Sequence, residues 1–103
     1  MKVKEGYILR KVLDKHLVVP YGIQAKEDKR VMDLTDSAVL LWKAMESEVS
    51  FETLVQILMK SYPGISEETI KKDITLFIEK LIKEGYLLYE NYKTDEVDFH
   101  VEL

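Results

Sequence analysis

The chain contains no cysteine. Disulfides, thiolate nucleophiles, thiolate-bound zinc and cysteine-ligated iron–sulfur clusters are therefore excluded within it. Histidine is almost as scarce: His16 and His100 are the only two, and neither stands in the spacing of His, Asp or Glu that builds a metal site. They read as hairpin and tail residues. The four glycines do not form a phosphate-cradling loop. Apolar runs are only a few residues long, so no membrane span is expected. The start, Met-Lys-Val-Lys-Glu-Gly, lacks the apolar stretch of a signal peptide. An excess of positive charge is missing too. The net charge of −4 argues against nucleic acid, whose binding requires a concentrated positive field. A cytoplasmic protein without cofactor or metal is the expectation.

What the chain does have is enough apolar material for one core. Hydrophobic residues make up 47% and charged residues 33% of 103 positions, the balance of a single soluble globular domain. There is no internal repeat, low-complexity segment or linker.

Two segments rich in strand formers, Tyr7–Leu13 and His16–Tyr21, are separated by a tight Leu-Asp-Lys connection and predict a hairpin. Pro20 has no N–H to donate, so it belongs at a bulge or an unpaired position. After the polar run Ala25–Lys29, read as a loop, the alternation in Arg30–Leu34 places Met32 and Leu34 on one face of a third strand, antiparallel to the second. Thr35 then caps a helix carrying Ala38, Leu41, Trp42 and Met45 on one stripe. Ser50 caps a second helix, with Phe51, Leu54, Val55, Leu58 and Tyr62 inward, which Pro63-Gly64 stops. Ser66 caps a third, with Ile70, Ile74, Phe77, Ile78 and Leu81 forming a wide apolar face. Gly85 is placed to close that helix in a left-handed conformation. Tyr86–Tyr89 reads as a short final strand. Residues 90–103 form an acidic C-terminal tail, either frayed or one more pairing strand. The expected fold is α+β: a three-stranded antiparallel sheet followed by a three-helix bundle, like a winged helix-turn-helix, with residues 1–89 as the domain.

Chemistry-bearing patterns are sparse. Ser37, Ser50 and Ser66 sit at helix starts, where capping accounts for them, and no nucleophile–base pattern surrounds them. Asp36, Glu46, Glu67 and Glu68 read as helix-end or solvent-face acids. An enzyme is not expected. The third helix carries Lys71, Lys72, Lys80 and Lys83, but also Glu67, Glu68, Asp73, Glu79 and Glu84. That mixture reads as a solvated face rather than a DNA-reading one.

The stretch VMDLTDSAVLLW, through Val31, Met32, Leu34, Thr35, Ala38, Leu41 and Trp42, resembles the strand-to-helix signature of the PqqD-like family. SFETLVQILMKSYP resembles that family's next helix. DITLFIEKLIKEGYL resembles its closing segment through Asp73, Phe77, Leu81, Gly85 and Leu87. The resemblance spans roughly residues 6–89. Members more often carry Asn where this chain has Thr35, and a shorter loop before the third strand. The resemblance implies a non-catalytic peptide-binding module, a RiPP recognition element. Such a module holds the leader of a ribosomally made precursor peptide between the third strand and third helix and presents it to a modifying enzyme, such as a radical-SAM protein.

Those implications agree with what the residues can do. The third strand of a meander keeps one row of unpaired backbone groups, an edge to which an extended peptide can add. Lys29, Arg30 and Asp33 discourage casual pairing there. Leu34, Ala38 and Trp42 anchor the edge to the core. On the third helix Asp73, Leu76, Lys80 and Glu84 share a flank. The expected peptide-binding set is thus Lys29, Arg30, Val31, Met32 and Asp33 on the edge, with Asp73, Leu76, Phe77 and Lys80 on the helix. Leu76 and Phe77 would form an apolar pocket, while Lys80 and Arg30 would receive leader carboxylates. The alternatives are a winged-helix DNA-binding regulator and a homodimer paired through the same edge.

Overall fold

The computed structural model describes residues 1–88. Strands β1 (Tyr7–Val12) and β2 (Lys15–Pro20) form an antiparallel hairpin, and β3 (Met32–Leu34) pairs antiparallel with β2, giving sheet order β1-β2-β3. One helical turn, α1 (Gln24–Glu27), precedes β3, and helices α2 (Asp36–Met45), α3 (Phe51–Ser61) and α4 (Glu67–Lys83) follow it. The α+β class and the order of sheet before helices are as expected from the sequence.

All three predicted caps form. The hydroxyls of Thr35, Ser50 and Ser66 accept from the backbone N–H groups of Ala38, Thr53 and Thr69 at 3.3, 3.1 and 3.2 Å. The apolar stripes meet in one core, where Trp42, Tyr86, Met45, Leu54, Ile74, Ile78 and Leu81 are fully buried. The core-facing side of the sheet supplies Val18, Met32 and Leu34. Residues 1–4 are strapped across the helical side: Val3 N–H donates to the Met45 carbonyl at 2.9 Å and Lys4 N–H to the Tyr86 carbonyl at 2.7 Å.

Three local expectations are corrected. The polar run before β3 is not simply a loop but includes the turn α1, opened by Gly22 at φ 60°. The third strand begins at Met32 rather than Arg30, because the Arg30 N–H is taken by the Asp28 carboxylate at 2.9 Å instead of by the sheet. The strand predicted from Tyr86 is reduced, within the described residues, to one bridge between Val3 and Leu87. Its N–H groups are drawn back into the end of α4. Tyr86 N–H donates to the Leu81 carbonyl at 2.8 Å and Gly85 N–H to that of Ile82 at 3.2 Å, the paired closure of a Schellman motif. Tyr89 and the tail 90–103 lie outside the described residues.

Two residues of positive φ frame a pair of opposite expectations. Gly85 has φ 85° and open space where a Cβ would stand. Gly85→Ala should therefore destabilise by about 1 kcal/mol through backbone strain alone. Leu13, in the β1–β2 turn, has φ 58° and is 91% exposed. Leu13→Gly should stabilise by about 0.5–1 kcal/mol, the strain relieved less the added chain entropy. Urea denaturation midpoints of the two variants, shifted in opposite directions, check both.

Candidate peptide-binding site

The register of the sheet determines which backbone groups are free. In an antiparallel pair, hydrogen-bonded and non-hydrogen-bonded positions alternate. The hairpin closes at Val12↔Lys15, and Tyr21 N–H donates to the Gly6 carbonyl at 2.9 Å, so Lys15, Leu17, Val19 and Tyr21 turn their backbone groups toward β1. His16 and Val18 therefore face β3, where they pair with Leu34 and Met32. It follows that Met32 and Leu34 spend their N–H and C=O groups on β2. Asp33, between them, points its own outward, away from the sheet. The same phase accounts for Pro20, whose missing N–H falls on the β3 side beyond the point where β3 pairing ends.

Helix α4 lies along this open side and runs opposite to β3. At one end Arg30 Nη2 donates to the Glu84 carbonyl at 2.7 Å. At the other, Thr35 lines a common groove with Ile70, Asp73 and Phe77. The two stretches match in length: Arg30 to Thr35 in extended chain and Glu84 to Asp73 in helix each span about 16 Å. The groove at the Thr35 end has a volume of about 560 Å³. Leu41, Leu58, Ile70, Leu76 and Phe77 make its lining mainly apolar, and Asp36 and Asp73 stand at it. Leu76, 55% exposed, also borders a second hollow of about 420 Å³ along the helix, with Glu79, Lys80, Lys83 and Glu84.

Residues 23–87 match the family described as coenzyme PQQ synthesis protein D (PqqD). The chain belongs to the PqqD family. Among solved structures, it is similar to TbiB1, solved in complex with the TbiA(beta) leader peptide. The TM-score is 0.68 at 16% identity, covering 85% of this chain and 95% of that one. No curated protein sequence matches significantly.

In this PqqD-family domain the entry to β3 is clamped by a polar cluster. Asp28, only 9% exposed, accepts from Tyr7 Oη at 2.8 Å, from Arg30 Nε and Nη2 at 3.0 and 2.9 Å, and from the Arg30 N–H. The Arg30 guanidinium lies 5.4 Å from the Tyr86 ring centre. Tyr86 in turn meets Tyr7 and Trp42 edge-on, with ring centres 4.7 and 5.9 Å apart. The hydrogen bonds from Arg30 hold the Asp28 carboxyl well below the usual carboxylate range. Burial, followed by the bond to Asp28, pushes the Tyr7 hydroxyl up to about 12. Burial also raises Tyr86.

The residues singled out from sequence are distributed unevenly around this site. Asp73, Leu76 and Phe77 line the main groove, and Lys80 lies beside Leu76 in the adjoining hollow. Met32 is buried and Asp33 is exposed, with its backbone on the open edge. Val31 is exposed just before the strand. Lys29 turns back, its ammonium donating to the Ala25 carbonyl at 2.9 Å. Arg30 binds Asp28 and Glu84. Asp28 itself escaped the sequence reading, because an acid in a polar run gives no periodic signal; its position two residues before Arg30 was the only hint. In sequence Asp36 carries only the signal of a helix-end acid, and Leu41, Leu58 and Ile70 only that of core residues, yet all four line the groove. Among the described residues no cluster of three or more His, Asp or Glu could hold a metal, and no helix is long and apolar enough to cross a membrane.

The clamp has a pH signature. A depressed folded pKa means that Asp28 contributes stability above its unfolded value of about 3.9, which is lost as pH falls toward the folded value. Tyr7, raised, contributes below about 10 and loses that contribution as pH rises toward 12. Asp28→Asn should therefore be less stable than the parent by a constant amount from about pH 5 to 9, with the gap shrinking in acid. Urea unfolding from about pH 2 to pH 9 checks both the sign and the window.

Proposed function

We propose that this domain binds the leader segment of a ribosomally made precursor peptide as an added strand on β3, facing α4, and delivers it to a modifying enzyme. The observation that carries the proposal is the outward-facing backbone of Asp33, one residue from an apolar groove that opens at Thr35. A peptide in that position hydrogen-bonds to Asp33 and drops alternate side chains between β3 and α4. Leu76 and Phe77 receive an apolar side chain, and Lys80 a leader carboxylate. Asp73, Val31 and Met32 border the strand. Lys29 and Arg30 contribute through the segment that enters β3, Arg30 chiefly by holding it in place. The likeness to TbiB1, whose structure contains a leader peptide, supports this reading, as does membership of the PqqD family. Binding and presentation need no reacting group in the domain, so the chemistry is assigned to the partner; a radical-SAM protein is one such enzyme.

Proline placement tests the register. Asp33→Pro removes an outward N–H that the sheet does not use, so the domain should stay folded while cognate-leader binding falls at least about tenfold. Met32→Pro removes the donor to β2 and should destabilise the domain itself. Leu76→Asp, at an exposed site, should leave the fold intact and weaken binding. Circular dichroism and isothermal titration calorimetry with the cognate leader separate the three effects; full affinity in a folded Asp33→Pro variant excludes strand addition in this register.

A further inference from the structure

The groove at the Thr35 end is not electrically symmetric with the hollow farther along α4. Its two charged lining residues are both acids, Asp36 and Asp73. No basic side chain lines it, and no hydrogen bond or ion pair engages either carboxylate among the described residues. The nearest ordered lysine–acid pair on α4, Lys71 with Glu67 at 2.8 Å, is already self-satisfied. The adjoining hollow holds Lys80 and Lys83 against Glu79 and Glu84, so its formal charges cancel. The apolar end is thus also the negative end.

From this asymmetry we propose that the groove selects a peptide segment in which a large apolar side chain is flanked by lysine or arginine. The apolar group fills the cavity between Leu41, Ile70, Leu76 and Phe77, while the cation sits at the rim against Asp36 and Asp73. Side chains one residue apart on an added strand point to opposite faces, and those two apart share a face. The cation therefore either reaches the rim from two positions away along the groove-facing side or snorkels to it from an adjacent one. Arg or Lys beside an aliphatic or aromatic anchor satisfies both demands of the site; an acid there meets like charge without compensation. The inference rests on the strand-addition reading and specifies which leaders that mode admits.

A phage-displayed library of random 12-residue peptides, selected against the full chain at low salt, supplies the probe. The expected result is enrichment of an aromatic or long aliphatic residue with Lys or Arg one or two positions away. The best peptide, synthesised with a fluorophore, should lose affinity about five- to tenfold against Asp73→Lys, and its Lys/Arg→Glu counterpart should recover on that variant. Asp73 is exposed on α4, so the exchange spares the core; Asp36→Asn provides a second, milder variant with a change in the same direction. Peptides that perturb the Asp33 and Leu76 amide signals in NMR yet show no basic enrichment, or bind both variants equally, overturn the charge selection and leave strand addition standing. Failure of every selected peptide to perturb those amides overturns both.

Discussion

The alternation of hydrogen bonding across a three-stranded sheet is the constraint on which this molecule turns. Once the hairpin closes at Val12↔Lys15, the phase of every later pair is set. Met32 and Leu34 must face β2, and Asp33 must face out. A shift of one residue would exchange those roles and would also lift Met32 and Leu34 out of the core. The buried side chains and the exposed backbone are two consequences of one register. The free edge is as securely specified as the core beneath it.

An edge of three residues would not hold its position against α4 unaided. Its two ends are fastened by different means. At the entry, Asp28 gathers Tyr7 and Arg30, and Arg30 reaches across to the carbonyl of Glu84, the residue that caps the C-terminal end of α4. At the exit, Thr35 caps α2, whose Trp42 lies at the centre of the core. Tyr86 joins the two systems by packing against Tyr7, Trp42 and Arg30 at once. Just past the fastened exit, Thr35 and the start of α2 meet α3 and α4 at the rim of the apolar groove. Fixing both walls before a ligand arrives avoids the ordering cost of about 0.5–1.5 kcal/mol for each side chain that binding would otherwise immobilise.

Much of this was legible in the sequence, and the reason is physical. Helix caps and amphipathic stripes are local, so Thr35, Ser50 and Ser66 and the positions of Trp42, Leu54 and Ile78 could be read directly. The alternation of Met32 and Leu34 was equally local. What escaped is non-local or chemically ambiguous. Asp28 becomes distinctive only when Tyr7, from the first strand, approaches it. From sequence Arg30 reads as a free cation for leader carboxylates, because its partner at Glu84 is a backbone carbonyl 54 residues away, which no side-chain pattern encodes. The predicted strand at Tyr86 reflected real strand-forming residues, but the closure of α4 claimed their N–H groups first. Helical geometry alone places Asp73, Leu76, Lys80 and Glu84 on one flank of α4, with Phe77 on the neighbouring apolar stripe; that Asp73, Leu76 and Phe77 share a groove with Asp36 and Leu58 required the packed structure.

The shortness of β3 also determines where binding energy must come from. One outward residue, with Val31 and Thr35 at its margins, offers only a few backbone hydrogen bonds, each worth about 0.5–1.5 kcal/mol net of water. That is too little to order and hold an extended chain, which guards the edge against indiscriminate pairing. In the proposed mode the cavity of about 560 Å³ supplies the difference. A single aromatic side chain buries about 150–250 Å², or roughly 4–6 kcal/mol at 25 cal/mol per Å². Under that proposal backbone pairing sets direction and register, whereas the side chain in the groove decides whether a given peptide stays.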